Sequence, residues 1–170
     1  MKNIPNFKKI NFVDKLRDNI DRKVEVGLRI NGSLKKSFEK NPLITIITVV
    51  KNKSEVIEET IQSVLNQNYK NIEYIIIDGE SDDGTIEKIM KYEKKIDYFV
   101  SEKDLGLYDA MNKGLSLAKG DLIGIVNGDD ILLPDATNIL IDYYYKYDDA
   151  EFFFGSVKKH WGIIHGFYPH

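Results

Sequence analysis

The chain has 170 residues, of which 42% are hydrophobic and 30% are charged, a balance typical of a globular domain with its own core. It contains no cysteine, which excludes disulfides, thiolate metal sites and a cysteine nucleophile. We expect no secretory signal and no membrane span, because the first residues lack an uninterrupted apolar stretch and no apolar run is long enough to cross a bilayer.

The net charge of -3 is unevenly distributed along the chain. Residues 1–40 carry 11 Lys or Arg and 5 Asp or Glu, a balance of +6, whereas residues 41–170 carry -9. We interpret residues 1–40 as a basic N-terminal extension. Four apolar residues near helical spacing predict a short amphipathic helix over about 11–23, namely Phe12, Val13, Leu16 and Ile20. This segment fits two roles: contact with anionic lipid headgroups, or packing on the flank of the domain.

Strands and helices alternate through residues 41–170. Short apolar or β-branched runs predict buried strands at 43–50, 72–77, 96–100, 121–126 and 151–154. Apolar stripes at helical spacing predict helices from Ser54 to Leu65, at about 85–94, at 107–118 and at about 134–146. We expect Ser54 to cap the first helix, Asp83 or Thr85 to cap the second, and Gly120 to close the third. The alternation predicts an α/β fold with a largely parallel sheet.

Polar side chains follow three of the predicted strands. Asn52 follows the first, Asp78 ends the second, and Asp129 with Asp130 follows the fourth. Because the carboxyl ends of parallel strands share one edge, these groups should lie together. Adjacent carboxylates repel each other, and a cation bound by oxygen ligands, Mg²⁺ or Mn²⁺, would relieve that repulsion. The alternative is that Asn127 to Asp130 is only a polar turn.

Three single residues each have two possible roles. Asp78 could recognise a base or ribose, or only shape the turn before Gly79. Asp104 could serve a ligand or cap the next helix, and Lys113 could meet a phosphate or be solvated. No GxGxxG motif follows the first strand and no GxxxxGK[ST] occurs, which disfavours a dinucleotide site or a P-loop.

Four segments, in chain order, resemble the family 2 glycosyltransferases, the inverting class with the GT-A fold: ITIITVVKN, SVLNQNYKNIEYIIIDGESDDGT, SEKDLGLYDAMNKGLSLAKGDLIGIVNGDD and LLP. They look closest to bacterial members that extend polysaccharide or O-antigen repeat units on a lipid carrier. The similarity covers about 43 to 157. It implies a GT-A, Rossmann-like nucleotide-diphospho-sugar transferase fold, with a mostly parallel sheet flanked by helices, in residues 41–170.

The resemblance also implies a nucleotide-sugar donor, commonly a UDP-sugar, and a divalent metal, Mn²⁺ or Mg²⁺. Asp129 and Asp130 match the DXD-like element of the family, and Asp130 matches its last, metal-binding carboxylate. The residues implied at the donor site are Val49, Val50, Asn52, Asp78, Asp104, Asn112, Lys113 and Asp129.

The sequence departs from the family pattern at three places. Glu80 stands where the family usually has a small residue. Ser156 replaces the aspartate of a segment that usually reads Tyr-Gly-Asp-Val. Nothing after Asp130 matches the acidic motif that supplies the general base, so we assign no catalytic residue and expect the domain to be incomplete at its C-terminal, acceptor side.

We therefore expect a glycosyltransferase that moves a sugar from a UDP-sugar to a saccharide or lipid-linked acceptor in cell-surface polysaccharide synthesis, in truncated or split form. One rival is a nucleotide-sugar-binding module without transferase activity. Another is a nucleotidyltransferase, which the absence of a glycine-rich, basic loop after the first strand weakens. We expect a cytoplasmic location, at the inner face of the plasma membrane if residues 1–40 bind lipid, and no nucleic-acid partner.

Overall fold

The computed structural model describes residues 22–159 and 162–164. The helix predicted over about 11–23 lies outside these residues except for its last two, which instead begin a strand. The elements in chain order are β1 (Arg22–Val26), β2 (Ile44–Val50), α1 (Ile57–Leu65), β3 (Ile72–Asp78), α2 (Thr85–Met90), β4 (Tyr98–Glu102), α3 (Leu107–Leu117), β5 (Leu122–Asn127), α4 (Ala136–Lys146), β6 (Val157–Lys159) and β7 (Gly162–Ile164).

Five strands form one sheet in the order β1-β4-β3-β2-β5, and β6 pairs with β7 in a small hairpin. Strands β2 to β5 are mutually parallel, whereas β1 pairs antiparallel with β4 at one edge. The prediction of an α/β fold with a largely parallel sheet is confirmed. The chain moves outward from β2 to β3 and β4, then returns to the other side of β2 for β5. The carboxyl ends of β2 and β5 therefore flank the point where strand order reverses, the usual ligand position in such sheets.

The core lies on both faces of the two central strands, β2 and β3, in which every residue is buried. Their near-continuous apolar sequence suits this double burial. On one face Ile44, Ile46 and Val50 pack with residues of α1 and α2, among them Ile57, Ile61, Ile86 and Ile89. On the other face Ile47 and Val49 pack against α3, which approaches so closely that a Cβ on Gly114 would collide with Ile47.

Buried charges fasten the amino ends of the strands, opposite the candidate site. Asp97 accepts hydrogen bonds from the Tyr74 amide at 2.8 Å and from Lys35 Nζ at 2.8 Å. Glu73 accepts from the Thr45 hydroxyl at 2.7 Å and from the Lys119 amide at 2.9 Å. Because every one of these acceptors is paired, burying the two carboxylates is tolerated.

Some element boundaries differ from the sequence prediction. Strand β4 begins at Tyr98 rather than Ile96, since Ile96 still belongs to the turn after α2, where its amide donates to the Tyr92 carbonyl. Helices α2 and α4 are shorter than predicted, ending at Met90 and beginning at Ala136. Ser54 does not cap α1, because the N-cap residue is Val56, which has no side-chain cap. The Ser54 amide donates instead to Asp83.

Two further predictions about local structure were wrong. The strand predicted at 151–154 is absent, because this segment pairs with no strand of the described residues and leaves Phe152 and Phe154 exposed. Gly120 does not close α3 in a left-handed conformation. It is required there because a Cβ would lie 2.6 Å from the Thr45 amide nitrogen. Within the described residues, no helix is long and apolar enough to cross a bilayer.

Candidate functional site

The carboxyl ends of the parallel strands meet at one edge of the sheet. In the strand register Val50 lies beside Asp78, Asp78 lies beside Ser101, and Val49 lies beside Asn127. A Cβ on Gly128 would collide with Val50, so the loop after β5 lies directly against the end of β2. The structure thus brings together the strand ends that carry the polar residues of the sequence analysis.

Asp78 is fully buried at this edge, and its carboxylate is held by three donors. It accepts a hydrogen bond from the Ser81 amide at 2.9 Å, one from the Ser81 hydroxyl, and one from the Ser101 hydroxyl at 2.6 Å. The Ser81 oxygen in turn accepts from the Asn52 amide at 2.8 Å. Asp78 therefore organises the loops after β2 and β3 through Ser81, a residue that the sequence analysis did not single out.

Two loop residues at this edge have left-handed backbones, Asn52 with φ 51° and Glu80 with φ 61°. Asparagine adopts this conformation more readily than most residues, and its side-chain oxygen also accepts from the Asp82 amide at 3.1 Å. Glutamate has no such advantage. The left-handed backbone at Glu80 therefore carries strain, which comes from the Cβ atom and which glycine would remove.

Asp83 stabilises the start of α2 and the loop after β2. Its carboxylate accepts from the Ser54 amide at 2.9 Å and from the Thr85 amide at 3.0 Å. A further hydrogen bond from the Thr85 hydroxyl holds the pKa of Asp83 well below its ordinary value. With these contacts Asp83 acts as a helix-terminus residue, although Gly84 is the N-cap position itself.

Asp104 lies in the loop between β4 and α3. One of its carboxylate oxygens accepts from the Gly106 amide at 3.0 Å. The other covers Gly79, where a Cβ would collide with it. Asp104 is thereby placed against the end of β3, next to Asp78, whereas Asn112 is exposed on α3.

Lys113 is buried on α3, and its ammonium group has three partners. These are Glu102 at 3.0 Å, the Lys103 carbonyl at 2.9 Å and Asp109 at 3.3 Å. The contact with the Lys103 carbonyl is a hydrogen bond, and Glu102 and Asp109 form ion pairs with the ammonium group. In this structure Lys113 holds the loop that contains Asp104, and its ammonium group is already paired within the protein.

Asp129 and Asp130 are exposed, and their mutual repulsion is reduced by neighbouring groups. Lys53 Nζ lies 2.6 Å from an oxygen of Asp129, and this hydrogen bond raises the pKa of Lys53. Asp130 accepts from the Asn127 side-chain amide at 2.9 Å. The cation beside Asp129 is therefore a lysine, which the sequence analysis passed over as part of a loop.

The oxygen atoms at the end of β5 are of the type that Mg²⁺ and Mn²⁺ prefer. They belong to Asp129, Asp130 and the side-chain carbonyl of Asn127, which is buried and accepts no hydrogen bond. In residues 22–159 and 162–164, no three His, Cys, Asp or Glu side chains form a ready-made metal site.

A protein-family model described as Glycosyl transferase family 2 matches residues 45–163, more than half of the chain. This chain belongs to glycosyl transferase family 2. The matched region of the family 2 domain includes nearly all of β2 and the whole of β3, β4 and β5, with the loops that follow them.

Curated relatives agree with this assignment. An uncharacterized glycosyltransferase of Haemophilus influenzae is 33% identical over 135 residues, covering 75% of this chain and 42% of its own length. Glycosyltransferase GlyG of Streptococcus pneumoniae serotype 4 is 30% identical over 124 residues, covering 64% of this chain and 41% of the relative. The family 2 domain described here therefore spans about two-fifths of the length of these relatives.

Solved structures show the same fold. S. aureus TarS 1-349 in complex with UDP has a TM-score of 0.55 and 19% identity, over 61% of this chain and 32% of that one. The mannosyltransferase PcManGT from Pyrobaculum calidifontis, in complex with GDP-Man and Mn²⁺, has a TM-score of 0.58 and 22% identity, over 78% of this chain and 41% of that one. The GT-A fold that the sequence predicted is confirmed.

Proposed function

We propose that this family 2 domain binds a nucleoside-diphosphate sugar, foremost a UDP-sugar, at the carboxyl edge of β2 to β5. The observation that carries the proposal is the meeting of the loops after β2 and β5, with Asp129 and Asp130, at the point where strand order reverses. The structures of TarS with UDP and of PcManGT with GDP-Man and Mn²⁺ support it, because both share this fold.

In this proposal the nucleoside lies at the ends of β2 and β3, bordered by Val49, Val50 and Asn52. Asp78 fixes the shape of that surface through Ser81. Asp104 and Asn112 border the other side of the donor. Lys113 contributes indirectly, by holding the loop that contains Asp104.

We further propose that Asp130, with Asp129, holds a divalent cation, Mn²⁺ or Mg²⁺, beside the diphosphate. Such a cation would neutralise the charge that develops on the leaving diphosphate. The residues present fit this role, since Asp129, Asp130 and the unpaired Asn127 carbonyl offer only oxygen ligands.

In the whole protein, we propose, the sugar passes to a saccharide or lipid-linked acceptor in cell-surface polysaccharide synthesis. An acceptor hydroxyl attacks the anomeric carbon, the bond to the diphosphate breaks, and the configuration inverts. A base must remove the hydroxyl proton. We assign that role to none of the described residues.

Metal-dependent binding of UDP tests the proposal. Calorimetric titration of the 170-residue chain with UDP should show much higher affinity with Mn²⁺ than with EDTA. Asp130→Asn should remove most of the metal-dependent gain, because it weakens the metal-binding carboxylate. Asp83→Asn is the matched control, since it should leave the metal dependence intact and cost about 1 kcal/mol of stability at most.

Equal affinity for UDP in Mn²⁺ and in EDTA would contradict the metal role. The rival functions are separated by their products when acceptors are supplied. Release of free UDP together with a lengthened acceptor indicates a transferase, and binding without release by the whole protein, acceptor side included, indicates a nucleotide-sugar-binding module. Release of pyrophosphate would indicate a nucleotidyltransferase.

The basic N-terminal extension leads to a separate prediction. With a balance of +6 over residues 1–40, and about 1 kcal/mol of attraction per basic residue near an anionic surface, we expect weak, reversible membrane binding. Co-sedimentation with anionic liposomes should decrease with added salt and with replacement of Lys8, Lys9, Lys15 and Arg17 by glutamine, which leaves β1 in the sheet. Equal binding to neutral and anionic liposomes would instead leave the segment as a packing element.

A further inference from the structure

Lys53 has a fixed backbone and a partly exposed side chain. Its amide donates to the Thr85 hydroxyl at 2.9 Å, and its carbonyl accepts from the amides of Val56 at 3.1 Å and Ile57 at 3.0 Å. Its side chain, by contrast, is 43% exposed. It extends from the loop after β2 to Asp129, which lies in the loop after the neighbouring strand β5. The amine can therefore exchange partners without any change in the backbone.

The ion pair between Lys53 and Asp129 is of the exchangeable kind. Both side chains are nearly half exposed, and exposed ion pairs contribute little stability even at short distance. Lys113 provides the contrast within the same site, because it is buried and bound to three acceptors. Of these two lysines, only Lys53 can leave its partner at low cost.

The local charge also favours an exchange. Lys53, Asp129 and Asp130 together carry -1, which repels a diphosphate and attracts a cation. With a divalent cation on the two carboxylates the same three residues and the cation together carry +1. The cation then neutralises Asp129 in place of the lysine amine. An ammonium group near a diphosphate forms charge-assisted hydrogen bonds.

We propose that Lys53 is the counter-ion of Asp129 when no donor is bound, and that the Lys53 amine leaves Asp129 when the metal and donor bind. The amine then binds the diphosphate of the donor. This inference rests on the proposed function and adds a phosphate-binding residue to it. Lys53 thereby competes with the metal when no donor is present and assists the donor once the metal is bound.

The test measures metal and nucleotide binding separately. Lys53→Met removes the charge and keeps the stem, and Lys51→Met is the matched control, with the same charge change two residues away. With Mn²⁺ alone, Lys53→Met should bind the metal about two- to fivefold more tightly than the unaltered chain, because the competing ion pair is gone. With saturating Mn²⁺, it should bind UDP roughly tenfold more weakly, because a charge-assisted hydrogen bond is lost. Lys51→Met should change both affinities less than twofold.

The opposite signs of the two effects are what the exchange predicts. If Lys53→Met lowers the affinities for both Mn²⁺ and UDP, Lys53 only holds Asp129 in position and the inference is wrong. If neither affinity changes, or Lys51→Met gives the same shifts, a specific role is equally excluded. If the unaltered chain fails to bind UDP with Mn²⁺, the proposed function itself fails, and the inference fails with it. Circular dichroism and thermal unfolding should show that both variants remain folded.

Discussion

Replacement of Asp78 by alanine is expected to lower the free energy of unfolding by about 3 kcal/mol. It is also expected to lower the affinities for UDP and for uridine by similar factors. The stability loss follows because the Ser81 amide and the hydroxyls of Ser81 and Ser101 lose their acceptor in a buried position. The binding loss follows because Ser81 also holds Asn52, at the surface that we assign to the nucleoside. Denaturant unfolding and calorimetry measure the two effects.

Ser101→Ala is the matched control for this substitution. It removes one of the three donors and leaves the carboxylate with the other two, so its cost should be nearer 1 kcal/mol, with little change in nucleoside affinity. A loss confined to UDP, with uridine unaffected, would place Asp78 at the phosphates instead. An unchanged free energy of unfolding would show that the buried hydrogen bonds do not hold this edge together.

Lys113→Ala is also expected to lower the free energy of unfolding by about 3 kcal/mol. The change removes a buried cation from Glu102 and Asp109, and breaking a buried ion pair leaves a carboxylate insufficiently compensated. Glu102 keeps Arg22, whose Nε lies 3.1 Å away, which limits the loss. UDP affinity should also fall, because the loop that contains Asp104 loses its attachment to Lys113.

Lys91→Ala makes the same chemical change at an exposed ion pair with Glu58 and should affect stability far less. The contrast between the two variants separates a structural lysine from a phosphate-binding one. If Lys113→Ala left stability unchanged and abolished UDP binding, Lys113 would contact the donor directly, as the family resemblance implies. Denaturant midpoints measured beside UDP titrations distinguish the two outcomes.

The sequence predicted the centre of the fold well, because β2 and β3 are buried on both faces. Their mostly apolar, β-branched residues are typical of strands covered on both sides. Strand β1 was missed because it is a short, largely exposed edge strand in which three of the five residues, Arg22, Lys23 and Glu25, are charged. The strand predicted at 151–154 failed for the opposite reason. Its aromatic residues suit a strand, yet none of the strands in residues 22–159 and 162–164 pairs with them.

At the site, the sequence indicated which strand ends carry polar groups but not how those groups are partnered. The pairing of Lys53 with Asp129 joins loops 76 positions apart, and Asp78 meets Ser101 across 23 positions. Such contacts depend on strand order and loop conformation, which local residue patterns do not specify. The same limit applies to Lys113, whose burial and three partners are set by the packing of α3 on the sheet.

Paramagnetic relaxation by Mn²⁺ in an isotope-labelled sample, with UDP present, tests most directly whether donor and metal lie at the carboxyl edge of the sheet. We expect UDP-dependent broadening of the amide signals of Lys53, Gly128 and Asp129, and little broadening at Asn71 and Gly120 on the opposite edge. An Mg²⁺–UDP sample provides the diamagnetic reference. Broadening centred on the opposite edge, or broadening that added UDP does not increase, would contradict the assignment of this edge as the donor site.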